Sequence, residues 1–203
     1  MRSTRRKVAL WAFLVTGALS LASPVASGAP ANLTWKGDPQ AVAEVQAAFQ
    51  KFAAARTWRA RMTSGDSTTT TAFVAPDRFH MTIVQGKETT EMFLVGREVW
   101  MKSGGTCQKL PAAPPVKTPK EMIEHGGAAT TITVTRAGRE AVGGTPTQTY
   151  LLTVESRGTT ARQKLYVATT SGLPRRLEIQ ETPPATIDYF DFGASITINS
   201  PPC

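Results

Sequence analysis

Histidine is almost missing from this chain: His80 and His125 are the only two among its 203 residues. General acid–base catalysis and most transition-metal centres draw first on that side chain. No HExxH, GxSxG, Walker or dinucleotide-binding run compensates. Cysteine is limited to Cys107 and Cys203, without C-x-x-C spacing. A thiol metal or redox site therefore has no frame, and the pair reads as one structural disulfide in an exported chain. Closing so long a loop is worth about 4–5 kcal/mol at most in the chain-entropy model. Clustered basic residues interleaved with stacking aromatics are missing as well, which excludes a nucleic-acid binder. An apolar run of the roughly 20 residues that a membrane span needs does not occur.

What is present begins with an address. Arg2, Arg5, Arg6 and Lys7 form a basic n-region, Val8 to Leu21 is apolar, and Ala29-Pro30-Ala31 fits an A-x-A cleavage site, with Val25-Ala26-Ser27 a second. The expectation is a cleaved signal peptide over 1–31 and a single soluble domain over 32–203, periplasmic or extracellular. Of 23 basic residues the leader holds four and no acid, leaving 19 against 15 acidic ones in the mature chain. The strongly basic overall balance thus belongs largely to the leader. The remaining cations are scattered singly, as on solvated strand faces, and any membrane contact is expected to be peripheral rather than integral.

The densest structural signal is FVAPDRFHMTIVQGKETTEMFLVGREVWMK, residues 73–102. Phe79, Met81 and Ile83 alternate with Arg78, His80 and Thr82, the period of a strand with one apolar face. Pro76-Asp77, Gln85-Gly86-Lys87 and Gly96-Arg97 supply the reversals of an antiparallel meander. Before it, Asp38 is a good N-cap and Pro39 suits N1. Val42, Val45, Phe49 and Phe52, with Ala41 and Ala48, then form one helical stripe. Strands are expected at 57–64, 68–75, 78–84, 89–95 and 98–103. After a Pro-rich loop, Thr118-Pro119-Lys120-Glu121 opens a short helix through Met122 and Ile123 that stops at Gly126. Strands resume at 130–136, 147–155, 161–168, 175–181, 185–192 and 195–198. No βαβ alternation occurs, so a doubly wound parallel sheet is excluded. About ten antiparallel strands must curl or close to hide an apolar face, and two helices are available to cover it.

Enzyme readings find little support in these elements. His80 sits among the polar positions of its strand, and His125 precedes Gly126 at a helix end, where a cation suits the dipole. Asp188 and Asp191 flank Tyr189 and Phe190, but a general acid–base pair needs a pocket and perturbed pKa values. Edge-strand solubility accounts for them more simply. Ser64-Gly65-Asp66 is a turn, and Asn32-Leu33-Thr34 is a bare sequon. The chain is expected not to be an enzyme and to need no cofactor or metal.

Methionine is the distinctive apolar residue. Met62, Met81, Met92 and Met101 lie on four separate strands, and Met122 on the mid-chain helix. Flexible, polarizable thioethers suit a surface that accommodates variable apolar shapes, and equally suit core filling. The candidate cavity lining is Val45, Phe49, Phe52, Met62, Phe79, Met81, Met92 and Met122. Periodicity alone leaves Trp58 and Trp100 open between rim and core.

FVAPDRFHM followed by FLVGREVWMK resembles the hairpin ladder of the LolA/LolB-like lipoprotein-carrier superfamily. LYVATTSGLPRRLEIQ, YFDFG and ITINSPP are similar to the closing strands of exported relatives. The resemblance implies a mainly β (α+β) fold: a strongly curved antiparallel half-barrel of about ten strands, its concave face covered by the N-terminal and mid-chain helices. It implies an exported carrier of lipid or lipoprotein acyl chains; lipid or an acylated protein is the expected partner, with an envelope protein as a further one, and a monomer is expected. The alternative expectation is an envelope protein-interaction module, a sensor or assembly factor, using the same fold. Ala75 stands where the carrier has a latching arginine before the strand-ending proline, so latch-and-release gating does not carry over.

Overall fold

The structure is a computed structural model that describes residues 33–111 and 129–203. The leader 1–31, Asn32, the mid-chain helix, Met122 and His125 lie outside the described residues. A short strand β1 (Leu33–Gly37) precedes helix α1 (Pro39–Ala54). Then come β2 (Thr57–Ser64), β3 (Ser67–Val74), β4 (Arg78–Gln85), β5 (Glu88–Val95), β6 (Glu98–Ser103) and β7 (Thr106–Leu110). The second run is β8 (Thr130–Val142), β9 (Thr145–Ser156), β10 (Thr159–Ala168), β11 (Pro174–Ile179) and β12 (Ala185–Phe190). All belong to one open curved sheet of 12 strands, in the order β1-β8-β9-β10-β11-β12-β2-β3-β4-β5-β6-β7.

The helix begins where its chemistry dictates. Asp38 stays extended, its carboxylate accepts the Ala41 amide at 2.8 Å, and Pro39 occupies the first turn. This satisfies one of the otherwise orphaned N-terminal donors. The stripe Ala41, Val45, Ala48 and Phe52 is buried against Val134, Tyr150, Leu152, Leu165, Leu177 and Ile187 of β8 to β12. Phe52 also meets Trp58 of β2 and Tyr189 of β12, each at a ring-centroid distance of 5.2 Å. The core therefore sits under α1, toward the β8–β12 half and the adjoining β2 and β3, while β4 to β7 extend beyond it.

Several expectations need correction. The sheet has 12 strands rather than about ten. β1 is too short to show a period, and β7 (TCQKL) lacks an apolar alternation. β7 forms because Gly104 and Gly105, both at positive φ (56° and 80°), close a hairpin that only glycine-like residues accept readily. The sheet is not wholly antiparallel, because β1 pairs with β8 in parallel. Residues 195–198 make no strand: the carbonyls of Ala194 and Ile198 accept instead from Thr57 Oγ1 (2.9 Å) and Arg78 Nη1 (2.9 Å). This tail ends at the Cys107–Cys203 disulfide, which forms as expected. Finally, β12 is no edge strand, being paired on both sides. Its Asp188 answers Arg176 at 2.7 Å, and Asp191, just beyond it, answers Arg59 at 2.6 Å. Among the described residues α1 is the one α-helix.

Candidate apolar binding face

The two-residue turns at Gly86-Lys87 and Gly96-Arg97 fix the register of β4, β5 and β6. One row across the sheet reads Trp58, Phe73, Phe79, Leu94, Val99. Two residues along each strand, on the same face, a second row reads Thr71, Met81, Met92, Met101, Gln108. Paired positions share a face in an antiparallel sheet, so both rows lie on the helix-bearing side. The first row is closed: Trp58, Phe73, Leu94 and Val99 are buried, with Phe73 and Phe79 rings at 4.8 Å. In the second row Met81, Met92 and Met101 are all partly exposed, and Ile83 beside them is partly exposed too. Three thioethers thus stand side by side on adjacent strands, beyond the part of the sheet that α1 covers.

The opposite face of the same strands has different chemistry. His80 stacks on Phe93 at 4.2 Å and its Nε2 lies 3.0 Å from Glu91 Oε1. The Lys109 ammonium sits 5.4 Å over the Trp100 ring, and Trp100 is buried on this side. One side of β4–β6 is therefore apolar and yielding, and the other polar and cross-linked.

The structure divides the eight candidate lining residues. Val45, Phe52 and Met62 belong to the closed core. Phe49 and Phe79 pack at its margin, Phe49 at 6.3 Å from the Trp35 ring. Met81 and Met92 stand together in the open row, and Met122 lies outside the described residues. Met101, which is not one of the eight, completes the row. The signal that finds it is the pair of two-residue turns, which makes 81, 92 and 101 partners by counting alone.

Two depressions elsewhere contain none of these side chains. One, of about 700 Å³, opens at the C-terminal end of α1 among Lys51, Arg56, Leu173 and Phe192. The other, of about 420 Å³, lies among Arg139, Glu140, Pro146 and Thr169. Both are open to solvent, and Lys51 in the first is held by the Ser171 carbonyl at 2.8 Å. Among the described residues no group of three or more His, Cys, Asp and Glu is gathered where it could hold a metal. None of the described helices is long and apolar enough to cross a membrane.

One polar cluster braces the helix against the sheet. Glu44 of α1 accepts from Tyr150 Oη at 2.5 Å, from Arg136 and from Gln40. Burial pushes the Glu44 carboxyl up, but those donors outweigh it and hold the group below its ordinary range. Burial, then the hydrogen bond to Glu44, pushes the Tyr150 hydroxyl well up. Tyr189 is raised by burial alone. These are structural groups, each absorbed by a neighbour or by the core.

With this geometry in hand, comparison with solved structures gives the fold its class. The chain shares the fold of two mycobacterial proteins, LprF and LppX. It superposes on LprF from Mycobacterium bovis with a TM-score of 0.61 and 15% identity, covering 81% of this chain and 98% of that one. It superposes on the Mycobacterium tuberculosis lipoprotein LppX with a TM-score of 0.59 and 11% identity, covering 80% and 100%. No protein-family model and no curated protein sequence matches it.

Proposed function

We propose that this protein is an exported, non-enzymatic binder or carrier of lipid or lipoprotein acyl chains in the cell envelope. The acyl chain lies along the methionine row of β4, β5 and β6. The observation that carries this reading is the in-register, partly exposed set Met81, Met92 and Met101 on the helix-bearing face. An alkyl chain laid over it replaces water on apolar surface at about 25 cal/mol per Å² removed. Three-bond thioether side chains can follow chains of differing shape. Phe79 and Phe49 at the margin of the core form the inner boundary of this site, where the core closed by Phe52 begins. Fold kinship with LppX and LprF supports the class of protein and leaves the ligand to this site. The leader, if cleaved after Ala31, delivers a domain of 32–203 outside the cytoplasm.

The closed core favours a second reading, a protein-interaction module of the envelope, because Phe52, Trp58 and Tyr189 fill the space beneath α1. Native mass spectrometry of protein purified from its host's exported fraction, followed by organic extraction, separates the two. A co-purifying acyl species in fixed stoichiometry is expected. A bare mass that stays unchanged after incubation with lipid vesicles would favour the interaction module.

A further inference from the structure

We propose that Met81, Met92 and Met101 form an oxidant-sensitive modification site, and that their sulfoxidation by a peroxide turns off acyl binding. The inference rests on the reading above for its consequence, but not for its chemistry. Thioether oxidation is governed by access to the sulfur, and these three residues are partly exposed whereas Met62 is buried at 9%. They are direct register partners on three adjacent strands, so one small patch carries all three sulfurs. An exported chain also works where diffusible oxidants reach it, and where its disulfide is formed rather than reduced.

The step balances simply. A sulfur lone pair attacks one oxygen of hydrogen peroxide, the S–O bond forms as the O–O bond breaks, and the departing hydroxide takes the proton of the new S–OH group to leave as water. Sulfur is oxidised by two electrons and the peroxide is reduced by two. The product is a strongly polar sulfoxide in place of a flexible apolar side chain. An acyl chain laid over it would cover an S=O group to which it can offer no hydrogen bond. Three such groups in one row convert the apolar strip to a polar one. The three oxygens lie on the face away from His80, Glu91 and Lys109; within the row itself side-chain donors stand at its two ends, Thr71 and Gln108.

The test exposes the mature protein to graded hydrogen peroxide and follows two readouts. Peptide mass spectrometry scores oxygen addition at each methionine, and a fluorescent long-chain fatty acid reports binding. Met81, Met92 and Met101 are expected to oxidise before Met62, with affinity falling by about tenfold or more as buried polarity is introduced. Methionine sulfoxide reductase with a thiol reductant should restore binding. The triple variant Met81→Leu, Met92→Leu, Met101→Leu removes the oxidisable sulfurs, so whatever affinity it has before peroxide should be the same after it. Met62 reacting as fast as the row would overturn the site. Full binding by protein oxidised at all three positions would overturn its consequence. Failure of untreated protein to bind any fatty acid would instead sink the acyl-binding reading, while the order of oxidation still decides the site.

Discussion

Phe52 and Met92 show how differently two apolar side chains on the same side of the sheet can behave. Phe52 is 5% exposed and is touched by the rings of Trp58, Tyr189 and Phe192. Phe52→Ala leaves a cavity that those rings cannot collapse into, and should lower the unfolding free energy by about 3–5 kcal/mol in urea titrations. Met92 has its row partners on both sides but no cover from the buried core. Met92→Ala should cost clearly less in the same titration and weaken acyl binding instead. Equal stability losses in the two variants would place Met92 inside a closed core and remove the proposed site.

Glu44 carries a pH prediction at the same scale. Its carboxyl is held below the ordinary value of 4.5 by Tyr150 and Arg136. A depressed folded-state value contributes stability that is fully present above about pH 4.5 and fades as pH falls through the folded value. Tyr150→Phe removes one donor and raises that folded value toward the ordinary one. The acid-unfolding midpoint, followed by far-UV circular dichroism, should therefore move to higher pH. Near-neutral unfolding should change only modestly, since the Glu44 side chain is about a third exposed and solvent screens it.

Among the elements, the ends of the sheet are held by special devices. At one end Gly37, at φ 115°, lies so close to β8 that an added Cβ would sit 2.0 Å from the Val134 carbonyl oxygen. Gly37→Ala should detach β1, visible as faster amide exchange at Trp35 and Lys36 with the remaining strands unaffected. At the other end the disulfide ties the tail to β7 across 96 residues of sequence. Cys203→Ser should lower stability by about 2–5 kcal/mol and make the tail from Ala194 onward the first site of proteolysis. An unchanged cleavage map would show that the bonds from Thr57 and Arg78 and the buried Ile198 hold it without the disulfide. Most elements could be read from the chain because their cues are local. Asp38-Pro39 marks the helix start, and the alternation of Phe79, Met81 and Ile83 marks a strand. β1 and β7 escaped because their partners, not their own residues, make them strands. Residues 195–198 look like a strand but find side-chain donors in place of a neighbouring ladder.

For the whole molecule, one curved sheet carries two kinds of interior. Over β8–β12, β2 and β3, α1 makes a closed core; over β4–β6, the same face keeps its methionines partly open. The sequence supplied the components of the candidate site but not their division. Helical spacing put Val45 and Phe52 on an inward stripe, yet only the packing of β8 to β12 decides that they fill a core. The methionines were visible as a repeated choice on successive strands, and register brought three of them side by side. A single sheet thereby combines a closed half with a partly open one, the combination the proposed acyl binding needs.

The most direct measurement is a titration of protein labelled with ¹³C at the methionine methyl groups, using a long-chain fatty acid and methyl NMR. Met81, Met92 and Met101 should shift together and saturate at one stoichiometry, while the Met62 methyl stays in place. Shifts confined to Met62, or none in the row while fatty acid binds elsewhere, would contradict the account.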